Sequence, residues 1–223
     1  MTISLVMDHS DAPRLLPFIS AQKQYLSMKV IAQIAQQLLQ ALHYAQNLFI
    51  SHRSLDESCI FVSWFDQKRQ EIEIKIDGFE RYYFESLQRV TNPPLISSMN
   101  INQVLYDIRA IGLIIYTLIC GDSPRAGRIV HNCEEDSVGY VSFANRIWKT
   151  ISPNALKFVK RLIRPMQTSE TFESLLLDSF ILDNTNSAFP KIELPVENIQ
   201  KSRKTQLHLL LASLVSAVKQ RRQ

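Results

Sequence analysis

Between Met28 and Leu48 the apolar residues Val30, Ile31, Ile34, Leu38, Leu42 and Ala45 recur at three- and four-residue steps. That is the period of an amphipathic helix with one buried stripe. A polar stretch follows, His52-Arg53-Ser54-Leu55-Asp56-Glu57-Ser58-Cys59, and Ile60-Phe61-Val62 then reads as a strand. Glu71-Ile72-Glu73-Ile74-Lys75-Ile76 alternates strictly, the pattern of a half-buried strand, and Asp66 to Gln70 between the two is a polar hairpin loop. The apolar run Ile111 to Cys120 is short of the ~20 residues that span a bilayer, so it predicts a core helix. Ile151-Ser152-Pro153-Asn154-Ala155 opens another helix, with Ser152 as N-cap and Pro153 at the first position. The fold class expected is mainly α with a small β-hairpin.

These residues resemble the C-lobe of eukaryotic protein kinases. The polar stretch is similar to the catalytic loop His-Arg-Asp-Leu-Lys-x-x-Asn. Ser54 stands where the resemblance calls for the catalytic Asp, Asp56 where it calls for Lys, and Cys59 where it calls for the magnesium-holding Asn. A hydroxyl, a misplaced carboxylate and a thiol do not accept the substrate proton and hold Mg²⁺ together. Gln37-Leu38-Leu39-Gln40-Ala41-Leu42-His43-Tyr44 resembles the helix before that loop, and kinases carry the same hairpin after it. The second strand should run into Asp-Phe-Gly. Aligned without gaps, Gly78-Phe79-Glu80 fills that motif; shifted by one residue, Asp77 becomes the acid, followed by Gly78-Phe79. The motif is broken either way. Tyr106 to Gly121 resembles the central C-lobe helix, which implies that Asp107 braces the backbone at His52 and Arg53. The family's Ala-Pro-Glu to Arg ion pair has lost both partners, with Pro93-Pro94-Leu95 and Ser169 at the two positions.

The start of the chain resembles the middle of a kinase: Ile3 to His9 looks like the last N-lobe strand and hinge, and Leu15-Leu16-Pro17-Phe18-Ile19 like the first C-lobe helix. Five glycines leave no G-x-G-x-x-G anywhere. The resemblance covers about residues 3 to 182, which implies a lobe whose upper face is uncovered. Leu5, Val6 and Phe61 are expected near that face, with Phe61 partly filling the adenine position. A bare strand edge and an apolar patch there invite a protein partner.

The domain boundaries expected are 1–186 for the lobe and 187–223 for a linker and C-terminal helix. In that helix, Leu207, Leu210, Leu211, Leu214, Val215 and Val218 share one face, which suits folding back on the lobe, docking on a partner or lying on a membrane surface. Lys157, Lys160, Arg161 and Arg164 fall at i, i+3, i+4 and i+7, with Leu156, Val159 and Ile163 opposite. This basic stripe is either a solvated face or a patch for nucleic acid, acidic lipid or an acidic partner. Net charge is +4. Three cysteines, Cys59, Cys120 and Cys133, have no metal-ligand spacing, which suits free thiols in a reducing, cytoplasmic or similar intracellular compartment. The histidines His9, His43, His131 and His208 show no metal spacing either. Arg53 and the hydroxyls Thr91, Ser97 and Ser98 leave room for a phosphate contact.

The function expected from the sequence is a catalytically inactive, pseudokinase-like C-lobe serving as a scaffold or structural subunit. The chain is expected to be no enzyme, with no metal, cofactor, ATP or magnesium and with other protein subunits as partners. The alternatives are a peptide-binding module like the kinase non-catalytic C-lobe domains, a nucleic-acid-binding accessory protein, and a divergent kinase fragment that uses Asp77.

Overall fold

A computed structural model describes residues 11–22, 26–47, 50–79, 101–121, 141–165 and 170–185. The chain divides into two units, Met1–Asn186 and Ser187–Gln223, and every described residue lies in the first. Leu5, Val6, Glu80, the loop hydroxyls, Pro93 to Leu95, Ser169 and the C-terminal helix face with Leu207, Leu210, Leu211, Leu214 and Val218 lie outside the described residues.

The elements are helices α1 (Leu15–Gln22) and α2 (Met28–Asn47), the hairpin β1 (Ile60–Asp66) and β2 (Glu71–Ile76), then α3 (Ile101–Cys120), α4 (Pro153–Ile163), α5 (Phe172–Leu176) and α6 (Ser179–Asn184). Helix α2 is the hub, packing on β2, α3, α5 and α6. All six residues of its expected stripe are buried, and Ala32, Ala35 and Leu39 join them. A helix enclosed this far round sits inside the domain and not on its surface. Helix α3 extends ten residues upstream of the apolar run seen in the sequence. By length and composition Asn102–Cys120 suits a membrane (mean hydropathy 1.5), yet 72% of it is buried in the fold. Packing against α2 and α4 accounts for its apolar character.

The hairpin forms where the alternation placed it, and β1 runs on to Asp66 through an irregularity between Val62 and Trp64. Asp66 Oδ1 accepts the backbone N–H of Lys68 (2.8 Å) and Arg69 (3.1 Å), an Asx turn that starts the return. The bare strand edge expected beside Leu5 and Val6 lies outside the described residues, whereas the hairpin has partners along both its edges. Along β2, Gln33 accepts from Ile72 N (3.0 Å) and donates to Gln70 O (3.0 Å). One turn on, Gln37 accepts from Ile74 N (3.0 Å) and donates to Ile72 O (2.8 Å). Two amides at i, i+4 thus stand in for a third strand. Along β1, Val62 N donates to Pro13 O (2.9 Å), and Arg14 bridges to Phe61.

Helix α4 starts as the sequence implied: the Ser152 hydroxyl accepts from Ala155 N, with Pro153 in the first turn. Its buried face is wider than expected and is led by Phe158 and Leu162, beside Val159 and Ile163, while Leu156 is only half-buried. Thr171 and Ser174 form a reciprocal capping box at α5. Gly112 sets how closely α3 and α4 approach. A Cβ there would meet Ile163 N, Leu162 C and Leu162 Cβ, each at 2.8 Å, and two of those atoms are backbone.

Gly112→Ala therefore sets two effects against each other. Helix propensity favours Ala by about 1 kcal/mol, and overpacking a core costs about 1–3 kcal/mol. The backbone of α4 has no rotamer with which to give way, so overpacking wins. We expect a lower urea midpoint at unchanged slope; a midpoint at or above that of the parent chain would show that α3 and α4 separate freely.

Candidate functional site

Residues 52–59 and 77–79 converge into one cluster, and Asp107 organises it. This carboxylate comes from α3 and is 2% exposed. Its Oδ2 accepts from His52 N (2.8 Å) and its Oδ1 from Arg53 N (2.8 Å). Burial pushes its carboxyl up, against the two N–H bonds that favour the anion. Arg53 adopts φ 64°, a left-handed conformation that costs a non-glycine residue about 1–2 kcal/mol. The Asp107 bond to its N–H holds it there, and its Nε donates to Ser51 Oγ (3.0 Å).

His52 is fully buried and carries the second link. Its Nε2 lies 2.7 Å from Asp77 O. A carbonyl only accepts, so the proton is on Nε2; Nδ1 is buried with no partner among the described residues. The Phe79 ring packs on the imidazole at 4.6 Å between centroids. Gly78 lies between, at φ 95°, where a Cβ would come within 3.1 Å of both Cys59 Sγ and His52 Cε1. Only glycine suits that conformation in that space. The Asp77 carboxylate is exposed and accepts from Gly78 N (2.7 Å).

The groups at the substituted loop positions are turned on one another. Asp56 caps the 3₁₀ turn Glu57–Cys59, and its Oδ1 accepts from Ser58 N (2.8 Å) and Ser58 Oγ (2.5 Å). Cys59 Sγ lies 3.6 Å from that oxygen and 3.7 Å from Ser54 O. Burial, and then the Asp56 charge, push the thiol up. A protonated thiol is a poor metal ligand, because the thiolate is the form that binds. Glu57 leaves the loop to accept from Thr117 of α3 (3.0 Å), a contact with no signal in the sequence.

Phe61, expected near the upper face, is half-buried beneath the Arg14 guanidinium (5.4 Å), which also donates to Ser58 O (3.0 Å). In the basic stripe, Arg161 is the core of an ion cluster. Its Nε and Nη2 reach Glu170 (3.0 and 2.7 Å), and its Nη1 bonds Asp178. Both carboxylates are nearly buried, and the Glu170 bond raises the guanidinium further above its ordinary range. Lys157 and Lys160 remain exposed on α4.

No family model matches the chain. Serine/threonine-protein kinase 33 of Mus musculus is 26% identical over 195 residues, covering 78% of this chain and 39% of that protein. Calcium/calmodulin-dependent protein kinase cmkA of Emericella nidulans is 39% identical over 72 residues, covering 31% of this chain and 17% of that protein. The chain thus spans well under half the length of these curated relatives. Among solved structures, the Rad53 kinase domain with SCD2 in complex with AMPPNP superposes with a TM-score of 0.57 at 19% identity, covering 79% of this chain and 68% of that one. The fold is protein kinase C-lobe-like, and the relatives that match are named as protein kinases. The expectation that the chain is no enzyme is corrected by these findings. Its matched relatives are named as kinases, and the matched structure holds AMPPNP; the loop substitutions occur in a relative of enzymes.

Two measurements follow. Asp107→Ala strips two N–H groups of their acceptor, at roughly 1–3 kcal/mol each. We expect a loss of about 3 kcal/mol in urea unfolding, with Asp107→Asn intermediate because one acceptor survives; a loss below about 0.5 kcal/mol would show that the loop holds without the brace. For Cys59, the raised pKa keeps the thiolate scarce at mildly alkaline pH. Iodoacetamide should therefore label it more slowly in the native chain than in urea, the gap closing as pH rises, as read by peptide mass spectrometry. Equal rates would mean that the thiol is not held protonated.

Proposed function

We propose that this chain contributes a kinase-like C-lobe as a scaffold or structural subunit of a protein assembly, with the loop at residues 52–59 serving the architecture. One observation carries the reading. Two of the three substituted side chains are satisfied within the loop, Asp56 by Ser58 and Cys59 by Ser54 O and Asp56, while the brace from Asp107 is intact. A loop kept rigid and closed on itself suits a fold retained for its surfaces. A reducing intracellular setting fits Cys59 and Cys120 held as thiols.

Phosphoryl transfer is the second reading, favoured by the kinase names of the relatives and by the exposed carboxylate of Asp77, whose backbone carbonyl meets His52 Nε2. In that reading Asp77 would hold the metal, and the phosphate-gripping groups would come from a partner or from further sequence.

The test is to isolate the native protein under mild conditions and weigh the particle by light scattering. A stable assembly of fixed stoichiometry is the expected outcome. A free monomer would overturn the structural-subunit role and shift the weight to transient recognition of a short peptide. Labelled-phosphate transfer from ATP that disappears in Asp77→Ala would establish the second reading in its place.

A further inference from the structure

The outer side of α4 holds a groove of about 440 Å³ that the loop chemistry does not use. Its floor is Pro153 and the half-buried Leu156, and Lys157, Lys160 and Arg164 stand around it. Arg161 and Glu170 close one end. That end is rigid, because Arg161 is clamped between Glu170 and Asp178, and Asp178 Oδ1 also caps α6 at Phe180 N (2.9 Å). Clamping matters electrostatically as well. Two carboxylates offset the charge of Arg161, so the free positive potential comes from the lysines. Lys157 has no anionic partner among the described residues, and Lys160 lies over the Phe143 ring at 5.4 Å, a contact that leaves its charge in place.

We infer that this groove docks an acidic peptide segment of a partner protein, its carboxylates on Lys157 and Lys160 and one apolar side chain on Pro153 and Leu156. The groove size suits that occupant, since it lies at the low end of the ~300–1,000 Å³ that small ligands fill. The apolar floor flanked by cations is complementary to an apolar residue flanked by acids. A nucleic acid fits less well, because among the described residues no aromatic side chain lines the groove for base stacking. The inference holds for an active kinase lobe as for a scaffold. Particle mass and phosphate transfer report on those readings, and peptide binding reports on this one alone.

The probe is a fluorescein-labelled peptide of Asp and Glu around a central Leu, titrated with the full chain by anisotropy. We expect binding that weakens from about 0.02 to about 0.15 M salt as screening shortens. The double variant Lys157→Glu/Lys160→Glu should lose about tenfold or more, since rim charges facing an acidic ligand become repulsive. Lys68→Glu, in the distant hairpin turn, should bind as the parent does. Leu156→Ala should weaken the peptide with Leu more than one with Gly in its place. Both lysines are exposed, so an unchanged thermal melt separates lost binding from lost fold. No binding, or equal binding by the double lysine variant, would overturn the proposal. So would tighter binding by a single-stranded RNA oligomer or by phosphatidylserine vesicles, either of which would assign the lysines to another class of ligand.

Discussion

A single buried carboxylate, that of Asp107, fixes the geometry on which the described site depends. It receives two backbone N–H groups from the loop more than fifty residues earlier. Desolvating that charge is unfavourable, and the two short N–H bonds in a low-dielectric surrounding offset the cost. The gain in geometry is large. With His52 N and Arg53 N pinned, the His52 ring is aimed at Asp77 O, and the end of β2 is fastened to the loop. Arg53 remains in a left-handed conformation that no short-range interaction would maintain. One charge on α3 thereby fixes the loop, the strand end and the Phe79 ring packed on His52.

Around that frame the polar groups are nearly all spent. Asp56 is used on the turn it caps, Glu57 on Thr117, and Arg14 on Phe61 and Ser58 O. Asp77 is the exception, its carboxylate exposed at the rim. Among the described residues Asp77 is thus the exposed acid of this site, held only by Gly78 N, whereas Lys157 and Lys160 of α4 face solvent. The molecule therefore presents two different surfaces, a closed polar loop and an open basic groove.

Much of this was legible in the residue order because the signals are local. The α2 stripe, the alternation of β2, the Ser152-Pro153 start of α4 and the Asp66 turn each follow from side chains acting on their own backbone within a few residues. The brace at Asp107 was also readable, but only through resemblance; nothing in a lone Asp on an apolar helix says which backbone it will meet. Gln33 and Gln37 were visible as polar residues at i, i+4. Their use as a surrogate strand depends on β2 arriving at that spacing. The ion partners of Arg161 were hidden for the same reason. Helical period put it in line with three other cations, and the period carries no information about Glu170 and Asp178, which belong to later elements.

The sequence by itself determined helix α2, the hairpin, the Ser152 cap of α4 and the substitutions in the loop, since each is set by the period, propensity or identity of neighbouring residues. Only the tertiary structure decided which charges are free and which are matched, why Gly78 and Gly112 must be glycine, and what covers the hairpin edges. Those outcomes depend on distances between residues far apart in the chain, and such distances exist only once the core has packed.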